Sequence, residues 1–210
     1  MSSERERTAV QETHHTGQHP SRLLVIRRHW VVEDPLARRL YDMMSEAYEP
    51  HRSSTPFRYH YTEAEWAEIM QNDQLVKIVA YLDGHVAGLV TGAEVADVDW
   101  ISDEFWQERH PGRRVVYLQD LFVDPAHQNL RVVRALLQDG IDYLLERDAI
   151  VAFDMSDMLV KFGFPELIQE IVTAQLGATV RRVDVHHYFE FDSREGSRRA
   201  TPNLTMAEGS

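Results

Sequence analysis

Residues 118–134 carry the order of residue types that could do chemistry. An apolar run ends in Val123-Asp124-Pro125, two residues follow, and Gln128 opens an amphipathic segment. A strand that turns tightly into a helix N-terminus gathers backbone N–H groups at one point, and that geometry holds a pyrophosphate. Other chemistries find less support. The chain has no cysteine, so a thiol nucleophile, thiolate metal sites and disulfides are excluded. His186 and His187 are consecutive on an extended segment and point apart, and no H-E-x-x-H pair occurs, so no metal is expected. No G-x-S-x-G elbow is present for a serine nucleophile.

The elements that must position this stretch follow from periodicity. Residues 23–32 are apolar and β-branched, which predicts a strand. Asp34-Pro35 then predicts a helix start with Asp34 as N-cap, and Leu36, Leu40, Met43, Met44 and Ala47 fall at helical spacing. Thr62 to Glu65 forms a capping box ahead of a second, short helix. Asp83-Gly84 between two apolar runs predicts a hairpin. Residues 96–112, with Trp100 and Trp106, are a long excursion that could form a lid or a dimer contact. Residues 113–124 are the next strand. Residues 126–147 predict a helix with Leu130, Val133, Leu137, Ile141 and Leu144 as its buried stripe. A strand at 150–153 and a helix at 165–176, closed by Gly177, come next. Its inward residues are expected to be Leu167, Ile168, Ile171, Val172 and Leu176. A last strand or strand pair is expected at 180–191. This succession implies an α/β class with a mixed sheet and helices on its faces. One domain at 22–192 is expected between flexible tails at 1–21 and 193–210, where His14, His15 and His19 read as polar filler.

Leu118, Leu121, Val123, Pro125 and Gln128 together resemble the central motif of the GNAT (GCN5-related N-acetyltransferase) superfamily. There a strand of the form L-x-x-L-x-V-x-P leads into a glycine-bearing turn that cradles coenzyme A. The element order over residues 23–191 is similar too, and Gln175-Leu176-Gly177-Ala178 looks like the end of the family's closing helix. Where the family carries two small residues, this chain has Arg131 and Val133, so the turn is a degenerate cradle. The resemblance implies a GNAT-like acyltransferase fold and acetyl-CoA, or another acyl-CoA, as co-substrate. It places the cofactor on Leu121, Phe122, Val123, Gln128, Asn129, Leu130, Arg131, Val132, Val133 and Arg134, with the two arginines able to grip phosphate. It places an oxyanion donor on a main-chain N–H near Leu121–Val123 and a proton acceptor on the same strand. Gln119 stands where the family often has Glu. Asp120 is adjacent and faces the other way unless the strand bulges. Glu94, Asp97 and Asp99 could border the acceptor. Thr173 stands where many relatives have an acidic Tyr.

The bulk properties are compatible. At 210 residues and 43% hydrophobic, the chain is long enough for one sizeable core. A formal net charge of −12 disfavours nucleic acid and suits a cationic amine. No run is long enough to span a membrane and no secretory signal is visible, so a cytoplasmic location is expected. The leading expectation is an acyl-CoA-dependent N-acyltransferase acting on a small amine, with no metal and with a homodimer allowed. The alternative is a divergent protein on the same scaffold, which binds a ligand or partner without acyl transfer or runs different chemistry on a small polar substrate.

Overall fold

A computed structural model describes residues 5–7, 23–51, 61–127, 130–155, 160 and 163–183. The chain divides into two units, Met1–Val180 and Arg181–Ser210. In the second, residues 181–183 are described and form neither helix nor strand, and the rest of the strand expected at 180–191 lies outside the described residues.

The first unit is a mixed sheet of six strands in chain order: β1 (Arg5–Arg7), β2 (Leu24–His29), β3 (Val76–Leu82), β4 (His85–Glu94), β5 (Arg114–Val123) and β6 (Ala149–Phe153). Arg5–Arg7 falls inside the segment expected to be a tail, yet it pairs with β2. Every neighbouring pair is antiparallel except β5 and β6, which are parallel. The helices are α1 (Leu36–Tyr48), α2 (Glu63–Gln71), α3 (Asp103–Arg109), α4 (Leu130–Leu145) and α5 (Phe164–Leu176).

Local chemistry explains these boundaries. Asp83 and Gly84 have φ of 52° and 81°, the paired left-handed conformations of the tight turn that matches strand twist. Thr62 accepts from the Glu65 N–H at 3.2 Å and Glu65 accepts from the Thr62 N–H at 2.7 Å, closing the expected box. The expected Asp34 cap is not formed. Pro35 occupies the position before the first helical turn, and it has no side-chain acceptor. α4 also starts later than expected. The Asp124 carboxylate accepts the Ala126 N–H at 2.8 Å, and a 3-10 turn at Pro125–His127 takes up the chain first.

The sheet is covered on both faces, which is why β3 is buried along nearly all its length. α1 and α2 pack Leu40, Met43, Trp66 and Met70 against Val79, Leu89 and Phe122. α4 packs Val132 and Leu136 against Ile78, Val90 and Ala87 on the other face. The close approach depends on Gly88, where a Cβ would lie 2.9 Å from Leu136 Cδ1 and 3.0 Å from the Phe122 carbonyl oxygen. The expected α4 stripe holds at Leu137, Ile141 and Leu144, which are buried, and fails at Leu130. Val132 and Leu136 face the sheet, Leu137 and Ile141 meet Ile168 and Ile171 of α5, and Leu130 is 61% exposed in the first turn. On α5 the expected Leu176 is likewise exposed, because the helix ends there at a left-handed Gly177.

Candidate functional site

The site begins with an irregularity in β5. Thr91 of β4 pairs with Asp120, but the next residue, Gly92, pairs with Leu118, so Gln119 is an extra residue on β5. A bulge breaks the period-two alternation. Leu118 and Leu121 therefore both lie toward α4, while Tyr117, Asp120 and Phe122 share the face of α1 and α2. This is the condition under which Asp120 could turn inward.

Asp120 is buried, at 7% exposure. Thr91 Oγ1 donates to its Oδ2 at 2.9 Å and the Tyr61 hydroxyl donates to its Oδ1 at 3.3 Å. Burial pushes its carboxyl up to about 6; the two hydroxyl bonds pull the other way, and the charge of Asp154 adds to the rise. A carboxyl tuned to this range accepts a proton more readily than an exposed one and is still ionised at neutral pH.

Beside Asp120, β5 runs on past the end of β6. The β5–β6 ladder runs from Arg114 with Ala149 to Leu118 with Phe153 and stops, while β5 continues to Val123. The Asp124 N–H donates to the Ala87 carbonyl at 3.0 Å. Counted back from that bond, the alternation of an antiparallel ladder turns the N–H of Phe122 to β4 and those of Leu121 and Val123 to the parting side. The Tyr48 hydroxyl meets the outward carbonyl of Leu121 at 3.5 Å. The Leu121 and Val123 side chains rest half-buried toward α4, and Phe122 is buried against Tyr48 and Trp66.

The expected cradle is reached only in part. Gln128 and Asn129 lie outside the described residues. Leu130 and Arg131 are exposed in the first turn of α4, and Val132 is fully buried on the sheet. Val133 is half-buried with Leu121 and Phe153. Arg134 pairs with Glu170 of α5 at 2.9 Å. Leu130 therefore does not fill the opening.

The remaining candidates separate from this centre. Glu94 sits opposite Val116, toward the start of β5, and pairs with Arg114 at 2.7 Å. Asp97 closes a 3-10 turn, and Asp99 follows on the same excursion. A shallow pocket of about 210 Å³ at Gly92, Glu94, Asp97, Val116 and Arg147 belongs to that end and does not border Asp120. Thr173 donates to the Ala178 carbonyl at 3.2 Å, a bond that helps close α5. His186 and His187 lie outside the described residues. Trp106 packs edge-on to Phe105 and stacks on His110, whereas Trp100 is 66% exposed. Among the described residues, no group of three metal-ligating side chains comes together. No helix among them is long and apolar enough to cross a membrane.

Sequence reasoning missed Tyr61, Thr91, Tyr117 and Asp154. Each reaches the site through a contact distant in sequence, and no local pattern marks it.

The architecture is shared with solved acetyltransferases. An aminoglycoside acetyltransferase from an uncultured soil metagenomic sample, in complex with sisomicin, is 15% identical with a TM-score of 0.52, covering 80% of this chain and 97% of that one. A second aminoglycoside acetyltransferase from an uncultured soil metagenomic sample is 17% identical with a TM-score of 0.51, covering 80% and 99%. The ribosomal-protein-alanine N-acetyltransferase from Brucella melitensis biovar Abortus is 13% identical with a TM-score of 0.50, covering 80% and 99%. At these identities the likeness concerns the fold. No curated protein sequence matches the chain. The model of the Acetyltransferase (GNAT) family matches residues 37–164, more than half of the chain, and the chain belongs to that family.

Proposed function

We propose that this protein is an acyl-CoA-dependent N-acyltransferase that transfers an acetyl or other short acyl group to the amine of a small molecule. The observation that carries this reading is the buried Asp120 carboxyl at the bulge, just past the point where β6 ends and β5 continues. Family membership and the turn from Val123 into α4 support acyl-CoA as the donor.

The chemistry balances with these groups. The amine nitrogen attacks the thioester carbonyl carbon, and the N–H groups of Leu121 and Val123 are oriented to stabilise the oxyanion that develops. The C–N bond forms, the C–S bond breaks, and coenzyme A leaves as the thiolate. The proton lost by the attacking nitrogen goes to Asp120, directly or through one water. Arg131, exposed in the first turn of α4, adds positive charge where glycines are missing. Gln119 cannot accept a proton, and Glu94 stands too far along the strand, so Asp120 is the base in this scheme.

Calorimetric titration with acetyl-CoA, followed by a screen of small amines for acylated product, tests the reading. Micromolar binding and an acylated amine are expected. No heat with acetyl-CoA, malonyl-CoA or free coenzyme A would overturn it.

A further inference from the structure

Asp120 is the base of the scheme, yet little of its carboxyl is open to a direct approach. The residue is buried, and each of its oxygens already accepts a hydroxyl. The two donors differ in access. Thr91, 2.9 Å from Oδ2, is itself buried inside the sheet, so that side is sealed. Tyr61, 3.3 Å from Oδ1, is only half-buried. Other phenols near this stretch of β5 are committed elsewhere, Tyr117 to Asp154 and Tyr48 to the Leu121 carbonyl. Among the described residues, Tyr61 is the phenol whose proton lies on Asp120.

Tyr61 is also held in place. Its backbone leads directly into the Thr62 cap of α2, and its carbonyl accepts from the Tyr41 hydroxyl of α1 at 3.3 Å. Its ring centre lies 5.9 Å from that of Trp66, which lies 6.1 Å from that of Phe122 of β5. The hydroxyl thus stands on the face that carries Asp120 and Phe122. Leu121 lies between those two residues, and its N–H is one that the acyl-transfer scheme directs at the oxyanion.

We propose that Tyr61 is a catalytic residue: its hydroxyl takes the proton of the attacking amine while its own proton passes to Asp120 Oδ1. This role rests on the acyl-transfer reading and puts a fixed side chain where that scheme allowed a water. As the C–N bond forms, the N–H bond breaks and an O–H bond forms at Tyr61 Oη. The original O–H bond of Tyr61 breaks, and its proton bonds to Asp120. Tyr61 ends as the neutral phenol it began as, Asp120 ends protonated, and coenzyme A leaves as the thiolate. A hydroxyl suits this step because it donates and accepts at once. Its fixed position avoids the cost of ordering a water in the transition state.

The test is steady-state kinetics across pH with the full chain, acetyl-CoA and the primary amine that gives most product in the screen. Wild type, Tyr61→Phe and Thr91→Val are compared. Each variant removes one hydroxyl that favours an ionised Asp120, so each should move the acid limb of kcat/KM to higher pH. Loss of that donor alone leaves Asp120 ionised on the plateau above the limb, whereas loss of a relay lowers the plateau itself. For Tyr61→Phe the plateau kcat should fall about 10-fold or more, with the amine KM and acetyl-CoA affinity within about threefold of wild type. Tyr61→Phe keeps the ring packed on Trp66, and a urea midpoint for each variant separates a folded protein from a damaged one. A Tyr61→Phe plateau within about threefold of wild type, or no lower than that of folded Thr91→Val, overturns the relay and leaves acyl transfer standing. A wild type that yields no product with any amine overturns the acyl-transfer reading, and the relay with it.

Discussion

At the residue scale the decisive quantity is the basicity of Asp120. A base must be ionised to accept a proton, so kcat/KM for acylation should rise with pH through about 6, the value to which burial pushes this carboxyl. Asp120→Asn keeps the shape and the Thr91 contact but removes the base. It should lower kcat/KM about 100-fold or more and erase the acid limb, with acetyl-CoA affinity unchanged within about twofold. A variant that retained the limb would remove Asp120 from this role. Sequence reasoning reached Asp120 only conditionally. Strict alternation turns it away from Gln119's face, and the side it takes depends on one extra residue in β5. Nothing in the local sequence marks that bulge, because it is set by the pairing with β4.

At the element scale, the signals that proved legible were those satisfied by neighbours in sequence. Thr62 and Glu65 cap each other, Asp83-Gly84 turn the hairpin, and Gly177 ends α5. Those that misled depended on what lies opposite. Leu130 fits the helical period but points away from the sheet that Val132, in the same turn, reaches, and Asp34 is a good cap displaced by Pro35. The same distinction ranks two substitutions. Thr62→Ala should cost about 1 kcal/mol, the value of one cap, read as a lower urea midpoint with acetyl-CoA affinity unaffected. Gly88→Ala should cost more, about 1–3 kcal/mol, because the new Cβ meets a backbone oxygen as well as Leu136 and Val132. It should also weaken acetyl-CoA binding, since Val132 anchors the first turn of α4 on that spot. An equal loss of stability in the two variants, with binding intact in both, would show that α4 adjusts freely.

At the scale of the whole molecule, charge inside the sheet gives stability its pH dependence. On the α4 face, Arg28 of β2 meets Asp139 at 2.6 Å and Glu146 at 3.1 Å, fastening β2 to the helix with opposite charges matched. On the other face, His29, Lys77, Thr91 and Asp120 stand in one row across four strands. Lys77 is fully buried, and its ammonium donates to the carbonyls of Trp30, at 2.6 Å, and Asn72. Burial lowers it to about 8, with Asp73 opposing. The two buried groups act in opposite senses. Asp120 holds a proton more tightly folded than unfolded, so its contribution is complete below about pH 4 and is lost as pH rises through about 6. Lys77 holds its proton less tightly when folded, so stability rises as pH climbs from about 8 to the unfolded value near 10.5. Relative to wild type, Asp120→Asn should gain on the order of 2 kcal/mol between pH 4 and 6. Lys77→Met should lose a similar amount, relative to wild type, between pH 8 and 10.5. Urea midpoints across pH for wild type, both single variants and the double variant read these windows separately. Curves that run parallel to wild type through either window would show that the group there titrates alike in the folded and unfolded chain.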